Sequence, residues 1–233
     1  LSHRTVDDLK AGARVEPGEH KADPLDFALW KAAKPGEPSW ESPWGKGRPG
    51  WHIECSTMST TYLGDAFDIH GGGVDLVFPH HENELAQAQG AGKPFARVWL
   101  HNGLLTVNGE KMSKSLGNFI TVEQAIKDCE EKSDILKTFF LSAHYRSSVD
   151  YTPENLQAAA ARYDRWWNVV YRGRYPSDED ESAIVVKDVD KGQKAFTAAM
   201  DDDLNTPRAL AAFDQLASLA LQWRIDLHAL PDD

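Results

Sequence analysis

Apolar and polar positions alternate with two different periods along this chain, and the change of period divides it. From Gly50 to about Leu63 the spacing suits a helix. Ala66–His70 suits a short strand ending in Gly71-Gly72-Gly73. Pro79 is placed to open a helix over 79–89, where its missing N–H costs nothing. Arg97–Leu100 and Leu104–Val107 read as strands, and Asn108-Gly109 is a tight-turn signal. Strands alternating with helices predict an α/β layer.

Beyond residue 120 the pattern is helical. Thr121 with Gln124 forms a capping-box pair. Thr152-Pro153 supplies an N-cap followed by proline at the first helical position, and Leu156, Ala160, Tyr163, Trp167 and Val170 then line one face. Residues 173–183 read as an acidic loop and 184–233 return to helix. There Thr206-Pro207 repeats the start signal, with Leu210, Phe213, Ala217 and Ala220 on one face. Such paired helices predict a bundle beside the α/β part. Residues 1–48 are polar and broken by Pro and Gly, except Pro24–Trp30, which reads as a surface segment docked through Phe27, Leu29 and Trp30. No internal repeat is present.

Composition narrows the class. The chain has 233 residues, enough for one large domain or two modest ones, with 41% hydrophobic and 26% charged residues as in ordinary globular proteins. There is no run of about 18 apolar residues and no secretory signal pattern, which predicts no membrane partner and a cytoplasmic location. The first residue is Leu1, not Met, and the natural start is expected upstream. The net charge of −11 argues against broad non-specific grip on nucleic acid but leaves room for a local basic groove. The two cysteines, Cys55 and Cys129, are expected as reduced thiols.

Two constellations carry chemistry. His80 and Glu84 lie four apart on a predicted helix and so project from one face; Cys55 comes from a preceding helix and can meet them across the fold. Thiolate, imidazole and carboxylate are all zinc ligands, and zinc takes four neighbours, so this set leaves one position open. His81, three residues before Glu84, is an alternative ligand, and a buried cysteine beside a solvated His-Glu face is the structural alternative. Cys129 sits among charges in Asp128-Cys129-Glu130-Glu131 and reads as a structural residue on a helix surface. In the second constellation, Lys111-Met112-Ser113-Lys114-Ser115-Leu116-Gly117-Asn118 follows the Asn108-Gly109 turn. Two lysines interleaved with hydroxyls make a flexible cationic loop able to wrap a triphosphate and offset the charge that builds on displaced phosphates.

These strings resemble a known family. Lys111–Ser115 is similar to the KMSKS signature of class I aminoacyl-tRNA synthetases. Gly50-Trp51-His52-Ile53-Glu54-Cys55-Ser56, Phe67-Asp68-Ile69-His70-Gly71-Gly72-Gly73 and Asp75-Leu76-Val77-Phe78-Pro79-His80-His81-Glu82-Asn83-Glu84 resemble cysteinyl-tRNA synthetases. So do Arg48-Pro49 and Met200-Asp201-Asp202-Asp203-Leu204-Asn205-Thr206-Pro207. The resemblance implies the second half of a class I Rossmann-type catalytic domain over 1–120, with the zinc site and KMSKS loop. A helical stem-contact and bundle region over 121–233 would follow. It implies Cys55, His80 and Glu84 as zinc ligands, completed by a cysteine near the family's N-terminus, with the zinc binding the thiolate of substrate cysteine. Serine's hydroxyl forms no such bond, so discrimination at the binding step would remove the need for editing. Trp51 would wall the cysteine pocket, His70 and Asp75 would line it, and Asp75 would take either the amino group or the adenosine ribose. Lys114 would contact ATP, with Lys111 assisting. The implied reaction joins cysteine to ATP, with Mg2+, as cysteinyl-adenylate, then moves the acyl group to tRNA-Cys. A monomer is implied at full length.

The family's HIGH motif does not occur in this sequence. The family places it upstream of everything here and continues downstream into an anticodon-reading region, so the chain is expected to be a fragment trimmed at both ends. Such a piece is expected to be inactive alone and, with exposed apolar surface and an unpaired sheet edge, to aggregate or pair with the missing part. Two other functions compete. A mycothiol-pathway ligase also activates cysteine but passes it to an amino sugar; the His70 position, the His81–Glu84 run and the helices after 184 favour the tRNA enzyme. A non-catalytic zinc module is the other. His70-Gly71-Gly72-Gly73 is similar to the oxyanion loop of esterases, but the G-x-S-x-G string that fold needs is absent.

Overall fold

At residue 50 the chain passes so close to itself that a Cβ there would lie 2.2 Å from the Ala28 carbonyl oxygen, so only glycine fits. That contact locks the start of the first helix against the segment before it. A computed structural model describes residues 1–3, 23, 25–172 and 179–222, with 170–172, 179–186 and 222 described by backbone alone. Contacts divide the chain into two units, residues 1–101 and 102–233.

In the first unit Trp30–Ala32 (β1) pairs antiparallel with Gly47–Pro49 (β2), Trp30 opposite Pro49. Phe27 stands edge-on to His52 with ring centroids 5.8 Å apart, and Trp30 is half-buried. Leu29 is 49% exposed, so the segment docks through Phe27 and Trp30 but not Leu29. Trp51–Leu63 forms α1, and Ala66–Gly73 (β3) pairs with Phe95–Asn102 (β4). The three glycines expected after β3 lie inside it. Phe67, Phe95 and Ala88 form a small core with Ala96 and Trp99 against it.

The helix expected over 79–89 starts later. Val74–Leu76 is one 3₁₀ turn, Val77–His81 is a wide irregular turn, and regular helix α2 covers Glu82–Gly90. Phe78 is extended (φ −139°, ψ 135°), before a cis peptide bond to Pro79. A residue preceding proline is pushed out of the helical region by the proline ring, which breaks the helix where the sequence alone suggests its start.

The second unit begins with Leu105–Val107 (β5), which pairs antiparallel with Glu110–Lys111 (β6) and parallel with Val149–Tyr151 (β7). Asn108 (φ 52°) and Gly109 (φ 80°) are both left-handed, as a two-residue hairpin turn requires. Helices α3 (Val122–Asp128), α4 (Ser133–Leu141), α5 (Pro153–Arg172), α6 (Glu179–Asp201) and α7 (Thr206–Gln222) follow. The core joins Ala125, Cys129, Ile135, Leu136, Phe139, Tyr151, Leu156 and Ala159. Cys129 is thus buried, at 3% exposure, not on a charged surface: the chain turns there and points the thiol inward while Glu130 and Glu131 stay outside.

Three local expectations are refined. Thr121 accepts the Gln124 N–H (3.1 Å), but the Gln124 side chain bonds Asp128 (2.7 Å) rather than closing a capping box. At α7 the cap is Asn205, whose Oδ1 accepts the Arg208 N–H (3.2 Å), while the Thr206 hydroxyl donates to the Ala143 carbonyl. The acidic stretch expected as loop over 173–183 is helical from Glu179; residues 173–178 lie outside the described residues, and so do 223–233 of the last predicted helix. Asp214 of α7 accepts from Arg162 (2.8 Å) and the Trp166 indole (2.8 Å), tying α5 to α7. Among the described residues no helix is long and apolar enough to cross a membrane.

The turn before α7 is clasped to the segment before β7. Asp203, at φ 55°, accepts from Arg146 through both oxygens (2.5 and 3.0 Å) and from the Tyr145 hydroxyl (2.8 Å). The Arg146 guanidinium, then the Tyr145 hydroxyl, hold the Asp203 carboxyl down to about 2 from an ordinary 3.8. A depressed carboxyl stabilises the fold above its unfolded value and loses that contribution as pH falls through its folded value. Thermal unfolding is therefore expected to show a steeper loss of melting temperature from about pH 4 to about pH 2 in the natural chain than in Asp203→Asn. Equal slopes would refute the clasp.

Candidate active site

Helix α1 presents Cys55 one turn after Trp51, and the irregular turn before α2 swings His80 over Glu84. The ligand atoms of Cys55, His80 and Glu84 all lie within 4.8 Å of one another. His80 is 4% exposed and Glu84 fully buried, so the His-Glu pair does not form a solvated face. His80 Nε2 stands 2.6 Å from Glu84 Oε1, and His70 Nε2 stands 3.0 Å from Glu84 Oε2. Neither contact has hydrogen-bond geometry: among the described residues both Glu84 oxygens lack a hydrogen-bond partner. Buried carboxylate oxygens are normally satisfied. Ring nitrogens and carboxylate oxygens that crowd together without bonding fit a cation between them, and the donor set suits zinc. His81 falls in a second set of possible ligands, with His70 and Glu84, its Nδ1 2.7 Å from His101 Nε2.

Burial disfavours the charged form of His81, His80 and His52, pushing the His81 imidazole down to about 4 and lowering the other two as well. A neutral imidazole keeps the lone pair that a metal needs. Burial, then the Glu84 carboxylate, pushes the Cys55 thiol up; a bound cation reverses that preference. His52, which sequence reasoning missed, places Nδ1 2.8 Å from His80 Nδ1. A signal existed: His52 and Cys55 are three apart on one helix face. His101 was missed too, and it sits two residues after Trp99 on the same side of β4, their rings 6.3 Å apart and nearly parallel.

The Trp51 ring lies 4.2 Å from the His80 ring while 54% exposed, forming a wall beside the cluster. Asp75 is exposed on the 3₁₀ turn between β3 and the irregular turn.

In the second unit, Lys111 ends β6 and Lys114 begins a 3₁₀ turn, Lys114–Leu116. Asn118 donates to the Lys111 carbonyl (3.2 Å) and accepts the Ser113 N–H (2.8 Å), closing the loop on itself. Ser113 caps the turn through the Leu116 N–H (3.3 Å). Lys114 is exposed, its ammonium 5.6 Å from the Phe119 ring centroid.

Comparisons with known proteins agree with this architecture. The family model described as tRNA synthetases class I (C) catalytic domain matches residues 1–161, and a DALR domain model matches 195–220. The chain belongs to this class I tRNA synthetase family, with a Rossmann-type α/β catalytic-domain region followed by helices. Among its relatives is the cysteine–tRNA ligase of Pseudomonas aeruginosa (strain LESB58), 55% identical over 218 residues, which cover 93% of this chain and 45% of the relative. Another is the cysteine–tRNA ligase of Sulfurihydrogenibium sp. (strain YO3AOP1), 54% identical over 217 residues, covering 91% and 44%. The chain thus spans slightly under half the length of the curated relatives it matches. Two solved structures share the fold. The LeuRS–tRNA–LeuAMS complex of Agrobacterium radiobacter K84 has a TM-score of 0.55 at 16% identity, covering 81% of this chain and 29% of that one. Mycobacterium tuberculosis methionyl-tRNA synthetase with methionyl-adenylate has 0.51 at 20%, covering 67% and 33%.

Proposed function

We propose that this chain supplies the metal-bearing and lysine-bearing portion of a cysteine–tRNA ligase. The observation that carries this reading is the meeting of Cys55, His80 and Glu84 in one cluster whose buried carboxylate oxygens lack hydrogen-bond partners among the described residues. The relatives named cysteine–tRNA ligase support it. Residues 1–120 would form part of the catalytic domain and 121–233 the helical stem-contact and bundle region. The whole protein would act as a cytoplasmic monomer.

Cys55, His80 and Glu84 would hold zinc. When bound, zinc supplies a Lewis-acidic position soft enough to prefer a thiolate over a hydroxyl. Trp51 would exclude water on one side of the substrate cysteine, with His70 and Asp75 lining the pocket. Lys114, helped by Lys111, would place positive charge against ATP, bound with Mg2+. That charge stabilises the phosphates as the cysteine carboxylate attacks the α-phosphate and pyrophosphate leaves. The cysteinyl group would then pass to a terminal ribose hydroxyl of tRNA-Cys with release of AMP. Positioning and charge stabilisation suffice, without a covalent enzyme intermediate.

The test is metal analysis of the full-length protein beside its variants. About one zinc per chain is expected, lost on Cys55→Ala and on His80→Ala together with cysteine-dependent ATP–pyrophosphate exchange. Charging of tRNA rather than an amino sugar separates the reading from a mycothiol-type ligase. Exchange activity in a protein free of zinc would refute it.

A further inference from the structure

The hairpin that delivers Lys111 is held from outside itself. In the three-stranded sheet, Thr106 of β5 stands opposite Lys111 on one side and opposite Asp150 of β7 on the other. One carboxylate oxygen of Asp150 accepts two hydrogen bonds from the hairpin: the Thr106 hydroxyl at 2.7 Å and the Gly109 N–H at 2.8 Å. The second bond satisfies a backbone group in the left-handed turn itself, where the strands offer no partner. The Asp150 carbonyl meanwhile accepts the Asn155 side chain at 2.9 Å, and the Asn155 N–H donates to Thr152, the cap of α5 (3.2 Å). Asp150 therefore joins three things: the strand beside the lysine segment, the turn that reverses it, and the first turn of α5.

We infer that Asp150 is a positioning residue, which fixes the Asn108-Gly109 turn against the start of α5 and so sets the place from which Lys111 and Lys114 reach a triphosphate. Downstream of Lys111 the loop is closed by Asn118, so its geometry is internally set; at its root the pairing of β5 with β6 and β7 is supplemented, at the turn, by the Asp150 side chain. A shift at the root moves both lysines together, and misplacement by about 1 Å is enough to cost a charge-stabilised step about a hundredfold. The inference rests on the proposed ATP-binding role of the lysine segment, and the test separates the two.

The test compares full-length protein with Asp150→Ala, Asp150→Asn and Thr106→Val. Hydrogen exchange is read on peptides spanning 106–118, and KM for ATP, KM for cysteine and kcat are read from cysteine-dependent ATP–pyrophosphate exchange. Asp150→Ala is expected to speed exchange at the turn about tenfold, as loss of hydrogen bonds to a charged acceptor implies. It should raise KM for ATP or lower kcat by about as much, with KM for cysteine unchanged. Asp150→Asn keeps an oxygen acceptor for both donors and is expected to rescue both readouts. Thr106→Val removes one bond and shifts both in the same direction by less, which decides the matter if Asp150→Ala folds poorly. Unaltered turn exchange in Asp150→Ala overturns the inference. So does faster turn exchange with unaltered ATP kinetics, which marks a merely structural contact. A natural protein with no cysteine-dependent exchange at all refutes the ligase reading, and with it the lysine segment's role that Asp150 is said to serve, whereas the turn exchange still reports whether Asp150 holds the hairpin.

Discussion

In full-length protein stripped of metal, Glu84→Gln is expected to leave the unfolding free energy unchanged or raise it by about 1 kcal/mol; in zinc-loaded protein the same substitution is expected to lower it by about 4 kcal/mol. The reversal follows from where the carboxylate sits. Glu84 is fully buried, its two oxygens lie 2.6 and 3.0 Å from imidazole nitrogens, and among the described residues neither oxygen has a hydrogen-bond partner. Burial disfavours the charged form of His80, one of these two imidazoles, and of His81 nearby, so they offer little countercharge. A neutral amide of the same shape is therefore no worse without metal, and its N–H can donate to a ring nitrogen. With zinc at about a thousand times its dissociation constant, binding to the native state alone contributes about 4 kcal/mol, which the amide forfeits. Chemical denaturation with chelator and with excess zinc measures both. An equal loss under the two conditions would show that histidines alone hold Glu84, and the metal reading would lose its basis.

Much of this arrangement was legible because local rules and tertiary contacts agree. Asn108-Gly109 announced a hairpin turn and both residues are left-handed. Thr152-Pro153 announced the start of α5, and Thr152 caps it through the Asn155 N–H. Cys55, His80 and Glu84 stood out as ligand types, and the structure brings them together. Legibility ended where two local signals compete. Pro79 suits a helix start, but it also forces Phe78 into an extended conformation, and the second effect wins. Asn205 and Thr206 are both good caps, and the Ala143 carbonyl draws the Thr206 hydroxyl away from that task. Cys129 looked exposed because its sequence neighbours are charged; the turn after α3 sends it inward, which no period of 3.6 predicts. His101 has no pattern of its own and His52 offers only its spacing of three from Cys55; their meaning comes from His80 and His81, which only the folded chain brings within 2.8 and 2.7 Å.

Lys114→Ala is expected to lower cysteine-dependent ATP–pyrophosphate exchange in the full-length protein by about a hundredfold to a thousandfold, the loss that follows removal of one group aimed at developing charge. The melting temperature is expected to stay where it is. Lys114 is exposed, and among the described residues it forms no ion pair; its ammonium rests only over the Phe119 ring, 5.6 Å from the centroid, a contact worth about 0.5 kcal/mol at the surface. The loop does not need that side chain to keep its shape. Asn118 closes it on the Lys111 carbonyl and the Ser113 N–H, and Ser113 caps the turn on the Leu116 N–H, all through backbone groups that the substitution leaves in place. A charge held on a preformed turn, with no carboxylate among the described residues competing for it, is available to a phosphate and to little else. Lys114→Arg keeps the charge but spreads it over a planar fork on a different stem, so partial activity is expected, between the natural residue and alanine. Exchange at the natural rate in Lys114→Ala would remove this lysine from the chemistry. A fall in melting temperature matching the fall in rate would make it a structural residue, and the loop's charge would then have to act through Lys111.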